Sequence, residues 1–318
     1  MQGKVAAMNE YKPEGFLIKT AKNYEYISSI SGLEKALERQ IILEAPVILC
    51  DHNFDLHVEL GGGVKGIIPK GEVEYSADGE VVKDIAILTR VGKTVCFKVC
   101  GFKRNASGEV IAILSRRAAQ RECVENFIKG LIPGDIIPAK VTHLESFGAF
   151  VDIGCGKISL LSIDSISVSR ISHPSARLAI GDMIYTIVKC IDERGRISVS
   201  ERELLGTWEE NAALFKEGQT VRGIIRSVES YGIFVELTPN LAGLAEYRDD
   251  VGVGQTAAVY IKSILPDKMK IKLIIIDTDE APRGATPLNY FIDPKQSEHI
   301  DYWRYSPMSS NKLIETIF

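Results

Sequence analysis

With 318 residues, 45% hydrophobic and 25% charged, the chain has ordinary globular composition and a length that suits about two to four domains. A formal charge of −4 argues against coating duplex nucleic acid through bulk positive charge, while single strands bound by base stacking stay open. No apolar run reaches the roughly 18 residues of a membrane span, and six Cys without a CxxC pair, behind no charged and apolar leader, fit a reduced cytoplasm.

The first predicted element is a helix. Ser31 with Glu34 has capping-box spacing for a helix over residues 32–45 (GLEKALERQIILEA) that stops before Pro46. This completes an N-terminal extension over residues 1–44. Residues 45–116 read as an irregular module of short strands, from PVILCDHNFDLHVEL to EVIAILSRR. A linker helix follows over 117–132, with Ala119, Cys123 and Phe127 at helical spacing and Gly130 as its C′ glycine. Residues 133–202 hold five Ile- and Val-rich runs, IIPAKVTHLE, AFVDIG, KISLLSI, MIYTIVKCID and RISVSER, with one helical turn expected in SARLA. A second linker helix over 203–217 places Leu204, Trp208 and Ala212 or Phe215 along one side, weakened by Gly206. Another barrel-sized module spans 218–280. The segment 281–318 carries Tyr290, Phe291, Tyr302, Trp303 and Tyr305, and two readings stand: packing onto the preceding module, or docking to a partner or RNA.

Five short strands in about 70 residues suit a small closed barrel better than a two-sheet sandwich. The fold class is therefore mainly β, tandem five-stranded barrels joined by short helices. A repeat supports this: ESFGAFVDIG at 145–154 returns as ESYGIFVELT at 229–238, 84 residues on, and the glycine 14 residues before Gly148 also has its counterpart before Gly232. In each copy two rings flank a glycine, Phe147 and Phe150, then Tyr231 and Phe234. The rings are either barrel core or an exposed platform for bases; the glycine would leave room for a base, and the Tyr hydroxyl favours exposure.

The middle module, from GDIIPAKVTHLESFGAFVDIG through SLLSIDSI and SHPSARLAIGD to VKCIDERGRISVS, resembles the S1-type oligonucleotide-binding barrel repeat of bacterial ribosomal protein S1. The resemblance is looser over 218–277 and weak over 45–116. It implies OB-fold barrels binding single-stranded RNA in or near the small ribosomal subunit, in a short, three-repeat member. Position by position, the family's RNA-facing aromatics fall on Phe147 and Phe150, its third-strand His on Ser162, and its later Asp and Arg on Asp192 and Arg196. Lys140 and His143 on the first strand add candidate contacts. In the third module the matches are Tyr231 and Phe234, with Glu246 in place of the His and Lys270 in the Arg position. Arg222 and Arg226 would hold the RNA backbone there, and Lys268, Lys270 and Lys272 alternate on what is either a solvated strand face or an RNA contact. In the first module the positions fall on Phe54, His57, Pro69 and Ile111. That loss of polar contacts, with the analogy to longer members, makes residues 1–116 the expected docking end.

Enzyme chemistry finds no support. Gly92-Lys93-Thr94 lacks the earlier glycine of a phosphate loop, and the five His show no metal-ligand spacing, so no metal or cofactor is expected. The expected function is single-stranded RNA (mRNA) binding in translation, by a chain that is monomeric when free. A ribosome-independent regulator of transcripts and a protein-binding scaffold are the alternatives.

Overall fold

A computed structural model describes residues 11–76, 82–106, 108–280 and 289–318. Residues 1–10 of the N-terminal extension and 281–288 of the C-terminal segment thus lie outside the described residues. Three closed five-stranded barrels dominate. The first is built from β1 (Leu43–Cys50), β2 (Leu56–Glu59), β3 (Lys65–Ile68), β4 (Thr94–Arg104) and β5 (Val110–Ser115). The middle one uses β6 (Ile136–Glu145), β7 (Gly148–Asp152), β8 (Ile158–Ser162), β9 (Met183–Ile191) and β10 (Ile197–Ser200), and the third β11 (Thr220–Glu229), β12 (Gly232–Thr238), β13 (Leu241–Ala245), β14 (Thr256–Leu265) and β15 (Lys270–Asp279). In each, the fourth strand pairs back onto the first, and the third and fifth run parallel. Closure satisfies backbone groups that an open sheet this small would leave at its edges. The fold is mainly β, tandem OB-type barrels joined by short helices, as the strand pattern and resemblance led us to expect.

Helices depart from the sequence reading in ways that local chemistry explains. Ahead of the first barrel lie α1 (Ala21–Ile27) and α2 (Ile30–Arg39). Ser29, not Ser31, caps α2, its hydroxyl accepting the Gly32 N–H. Gln40 then turns left-handed, and Leu43 to Pro46 pair with β4 as strand rather than continuing a helix. The proline's missing N–H is accommodated near the end of that ladder. After α3 (Asp84–Leu88), the linker helix α4 (Arg116–Asn126) is capped by Ser115 and buries Ala119 and Cys123. It ends at Phe127 in a 3₁₀ turn over Ile128–Gly130, so Gly130 is not its C′ glycine. After the single turn α5 (Ile163–Ile166), the SARLA region makes only a 3₁₀ turn, Pro174–Ala176. Gly206, at φ 82°, breaks the second linker into a 3₁₀ turn (Arg202–Leu205) and α6 (Trp208–Ala212), the latter held by a Thr207/Glu210 capping box.

The chain divides into two compact units, one running to Leu131 and including Asp152–Ile158, the other comprising Ile132–Val151 and Ser159–Phe318. Inside the first, fully buried Arg116 pairs with Glu14 (Nε to Oε1, 2.6 Å) and with Glu74 (2.8 Å), while the Glu14 N–H donates to Asp152 (2.7 Å). Burial favours a neutral Glu14, yet the adjacent Arg116 guanidinium holds its carboxyl below the usual range. Inside the second, buried Arg177 donates to both oxygens of Glu236 at 2.5 and 2.6 Å, and Arg226 makes a second pair of bonds to the same carboxylate. Arg177 leaves the middle barrel's β8–β9 connection and Glu236 lies on β12, so this triad locks the two barrels together. The C-terminal segment adds β16 (Tyr302–Arg304) and β17 (Glu315–Ile317), with Trp303 and Tyr305 buried in the third barrel's core. Its Tyr290 donates to buried Glu201 (2.8 Å), and its His299 meets Asp135 (2.9 Å).

Candidate nucleic-acid interface

The two ring pairs have the same geometry. Phe147 stands in the tight turn between β6 and β7, not within a strand, and is 53% exposed; Tyr231, at the matching turn, is 68% exposed. Phe150 and Phe234, three residues on, are half-buried on the outer faces of β7 and β12. Each turn ring meets its strand ring edge to face, with centroids 6.0 Å apart at 88° in the middle barrel and 6.2 Å at 86° in the third. The core alternative is therefore excluded for Phe147 and Tyr231. An exposed ring pair at one place in two barrels offers π-faces to bases.

The glycine between the rings has a different job from the one its sequence suggests. A Cβ on Gly148 would run into the Leu161 carbonyl, and one on Gly232 would lie 2.6 Å from the Ala245 carbonyl. Both glycines let the neighbouring third strand approach, rather than leaving room for a base.

Around Phe150, the His143 ring stacks at 6.4 Å and 23°, so this β6 residue enlarges the platform to three rings while pairing with Glu145 at 2.8 Å. Ser162 ends β8, its hydroxyl donating to Ser165 (2.9 Å), and the next N–H, of Ile163, donates to the Phe147 carbonyl (2.9 Å). Phe147, Phe150 and His143 thus form one ring cluster, with Ser162 beside its Phe147 side at the end of β8. Lys140 lies half-buried on β6 opposite Met183. Asp192 and Arg196 do not join that end. They form an exposed pair (2.7 Å) in the β9–β10 turn, and the Ser198–Leu160 register sets Arg196 beside the beginning of β8. That is about 13 Å of strand from Ser162, while Phe150, two residues on from Gly148, faces the middle of β8. Backbone N–H bonds from Arg196 and Arg194, and the Arg196 side chain, hold the Asp192 carboxyl below its usual range.

In the third barrel the register corrects the emphasis. Phe234 pairs with Leu244, and Leu244 pairs with Lys272, so Lys272 shares the platform's row whereas Lys270 sits two residues off it. Arg222 is exposed on β11 opposite Ala258. Arg226 is committed to Glu236, whose partner Arg177 carried no signal in the sequence because the two stand 59 positions apart. Glu246 is exposed just beyond β13.

Among its described residues the first barrel has no such platform. Phe54, at φ 62°, is half-buried against the barrel core and covered by the Lys70 ammonium at 4.4 Å from its centroid. His57 is paired to Asp51 (3.0 Å), which also accepts the Asn53 and Asp55 N–H groups.

Among the described residues, no group of three or more His, Cys, Asp or Glu is placed to hold a metal, and no helix is long and apolar enough to cross a membrane. Residues 131–202 match the family model described as S1 RNA binding domain. The small ribosomal subunit protein bS1 of Staphylococcus aureus (strain COL) is 29% identical over 243 residues, covering 74% of this chain and 59% of that protein. The bS1 homolog of Bacillus cereus (strain ATCC 10987) is 30% identical over 276 residues, 83% of this chain and 66% of that one. This chain thus spans about three-fifths of the length of the S. aureus relative. A multidomain protein with nucleic acid binding domains from Streptococcus pneumoniae aligns over 78% of this chain and 76% of its own, at 17% identity and a TM-score of 0.24. The barrel topology, the S1 match over residues 131–202 and the two bS1 relatives together make the chain a ribosomal S1-domain protein with multiple repeats, related to bacterial bS1.

Proposed function

We propose that the chain binds single-stranded RNA, messenger RNA in translation, by stacking bases on the Phe147/Phe150 and Tyr231/Phe234 platforms, while the first barrel serves to dock on the small ribosomal subunit. The observation that carries this reading is the contrast between barrels. Two present the same exposed edge-to-face ring pair, and the first covers its ring with Lys70. Charge supports stacking over bulk electrostatics, since residues 134–202 carry eight Lys or Arg against eight Asp or Glu. RNA affinity should therefore depend only moderately on salt, and a slope equivalent to about ten released counterions would contradict a stacking-led interface.

Docking is tested in the full chain. A cut at residue 117 would strip Asp152 of its Glu14 partner and remove Arg116, both buried in the first unit, so truncation confounds folding with attachment. The double variant Phe147→Leu/Tyr231→Leu should lose RNA affinity yet still co-sediment with small subunits in RNA-depleted gradients. Loss of both together would mean attachment through RNA alone. A wild-type chain that stays at the top of the gradient while binding RNA would identify a ribosome-independent RNA binder.

A further inference from the structure

The outer face of β15 shows a pattern that barrel packing does not require. Lys270, Lys272, Ile274 and Ile276 alternate with buried Ile271, Leu273 and Ile275, and Ile274 is 46% exposed. The strand is internal to a closed barrel, so these side chains are not guarding a free edge. Next to Ile274, across the β14 ladder, stands Tyr260, 37% exposed, its hydroxyl end resting near Gly218.

The ladder registers tie this face to the platform. Phe234 pairs with Leu244, Leu244 with Lys272, and Ile274 follows two residues along the same face before pairing with Tyr260. Paired residues share a face, and neighbouring strands lie about 4.8 Å apart, so Lys272 is roughly 10 Å from Phe234 with only Leu244 between them. Among the described residues, the third barrel's own ion pairs are Arg226–Glu236 and Arg248–Asp250, and neither uses a β15 lysine. Glu246 follows β13 at the Ile274 end, so phosphate is favoured at the lysines and repelled beyond them.

We propose that β15 and Tyr260 form a continuation of the RNA path on the third barrel, in which Lys272 holds a phosphate and Tyr260 with Ile274 receives a further base. The inference rests on the RNA reading above, and single-stranded RNA is the occupant because the face alternates cation with apolar surface and runs on from an exposed ring pair. A strand bound on Tyr231 and Phe234 would cross Leu244 to reach it.

The test uses the full chain and two oligouridylates, of about 4 and about 16 nucleotides, which bracket the site sizes of such barrels. Tyr260→Leu should weaken binding of the longer strand by about 5-fold or more and leave the shorter unchanged, while Tyr260→Phe, which keeps the ring, retains wild-type affinity. Lys272→Ala should lower the salt slope for the longer strand by ~1. Equal thermal midpoints for the variants and wild type separate lost contact from lost fold. The proposal is overturned if wild type binds and Phe147→Leu weakens it, yet Tyr260→Leu and Lys272→Ala bind the longer strand normally; the face would then be open to a protein. Absence of any binding by wild type would sink the RNA reading as a whole, and this path with it.

Discussion

Replacing Phe147 by Leu removes one π-face and little else. The ring is 53% exposed and stands in a turn, so no ladder hydrogen bond depends on its side chain. Full burial of a Phe is worth about 1.5–3 kcal/mol; with half the ring in solvent and Leu restoring much of the rest, the stability cost should stay below about 1 kcal/mol. Binding should suffer more. A stacked base is worth about 1–3 kcal/mol, so affinity for unstructured single-stranded RNA should fall about 5-fold to 150-fold. Phe54→Leu in the first barrel provides the opposite control, because that ring packs against the core beneath Lys70. It should cost stability and leave RNA affinity unchanged. Fluorescence anisotropy at fixed salt reads the binding, and urea midpoints with their slopes read the stability. An early-unfolding Phe147→Leu whose folded fraction binds normally, or a Phe54→Leu that weakens RNA equally, would refute the platform assignment.

Glu236→Gln leaves the Arg177 and Arg226 guanidinium groups facing a neutral amide in a buried site, and should destabilise the protein by about 3–5 kcal/mol with little relief from added salt, read as a lower urea midpoint at both low and high ionic strength. Stability should also fall as pH rises from about 5.5 to 8.5. Burial pushes the Glu44 and Asp152 carboxyls up to about 7 and the Glu201 carboxyl up to about 8, so in this window the folded chain holds protons that the unfolded chain, with ordinary carboxyls, has already released. His299, raised by Asp135 and Asp301 against the effect of burial, acts with the same sign, while Glu14 and Glu236, held low, are ionised in both states. Thermal midpoints across the range, and a flatter profile in Glu201→Gln, provide the check; a midpoint that climbs with pH would contradict it.

Features written into neighbouring residues were legible in advance. Alternating Ile and Val runs with Gly and Asp at their borders carry the barrels, because a strand declares its inner face every second residue. The ring pairs declared themselves by recurring. Helix ends are less legible: Ser29 and Ser31 both suit a cap, and only the chain's return into β1 decides between them. Gly148 is a similar case. Its constraint is the Leu161 carbonyl on another strand, and no local pattern announces an approach between strands.

The polar partnerships were the least legible part, and they determine which charged residues remain available to RNA. Arg226 looked like a phosphate contact, as a cation on a strand near the rings does, but its guanidinium belongs to Glu236 together with Arg177 from the middle barrel. Arg196 keeps the type of side chain the family uses, yet it is already paired with Asp192 in the β9–β10 turn. Lys272 matches no family position, but the pairing register brings it into the row of Phe234. A cation's value to an incoming strand depends on the carboxylate already beside it and on its row in the barrel. Register and long-range pairing fix both, whereas residue type alone fixes neither. The two platforms are accordingly supported by different means, a third ring from His143 in the middle barrel and a lysine row on β15 in the third.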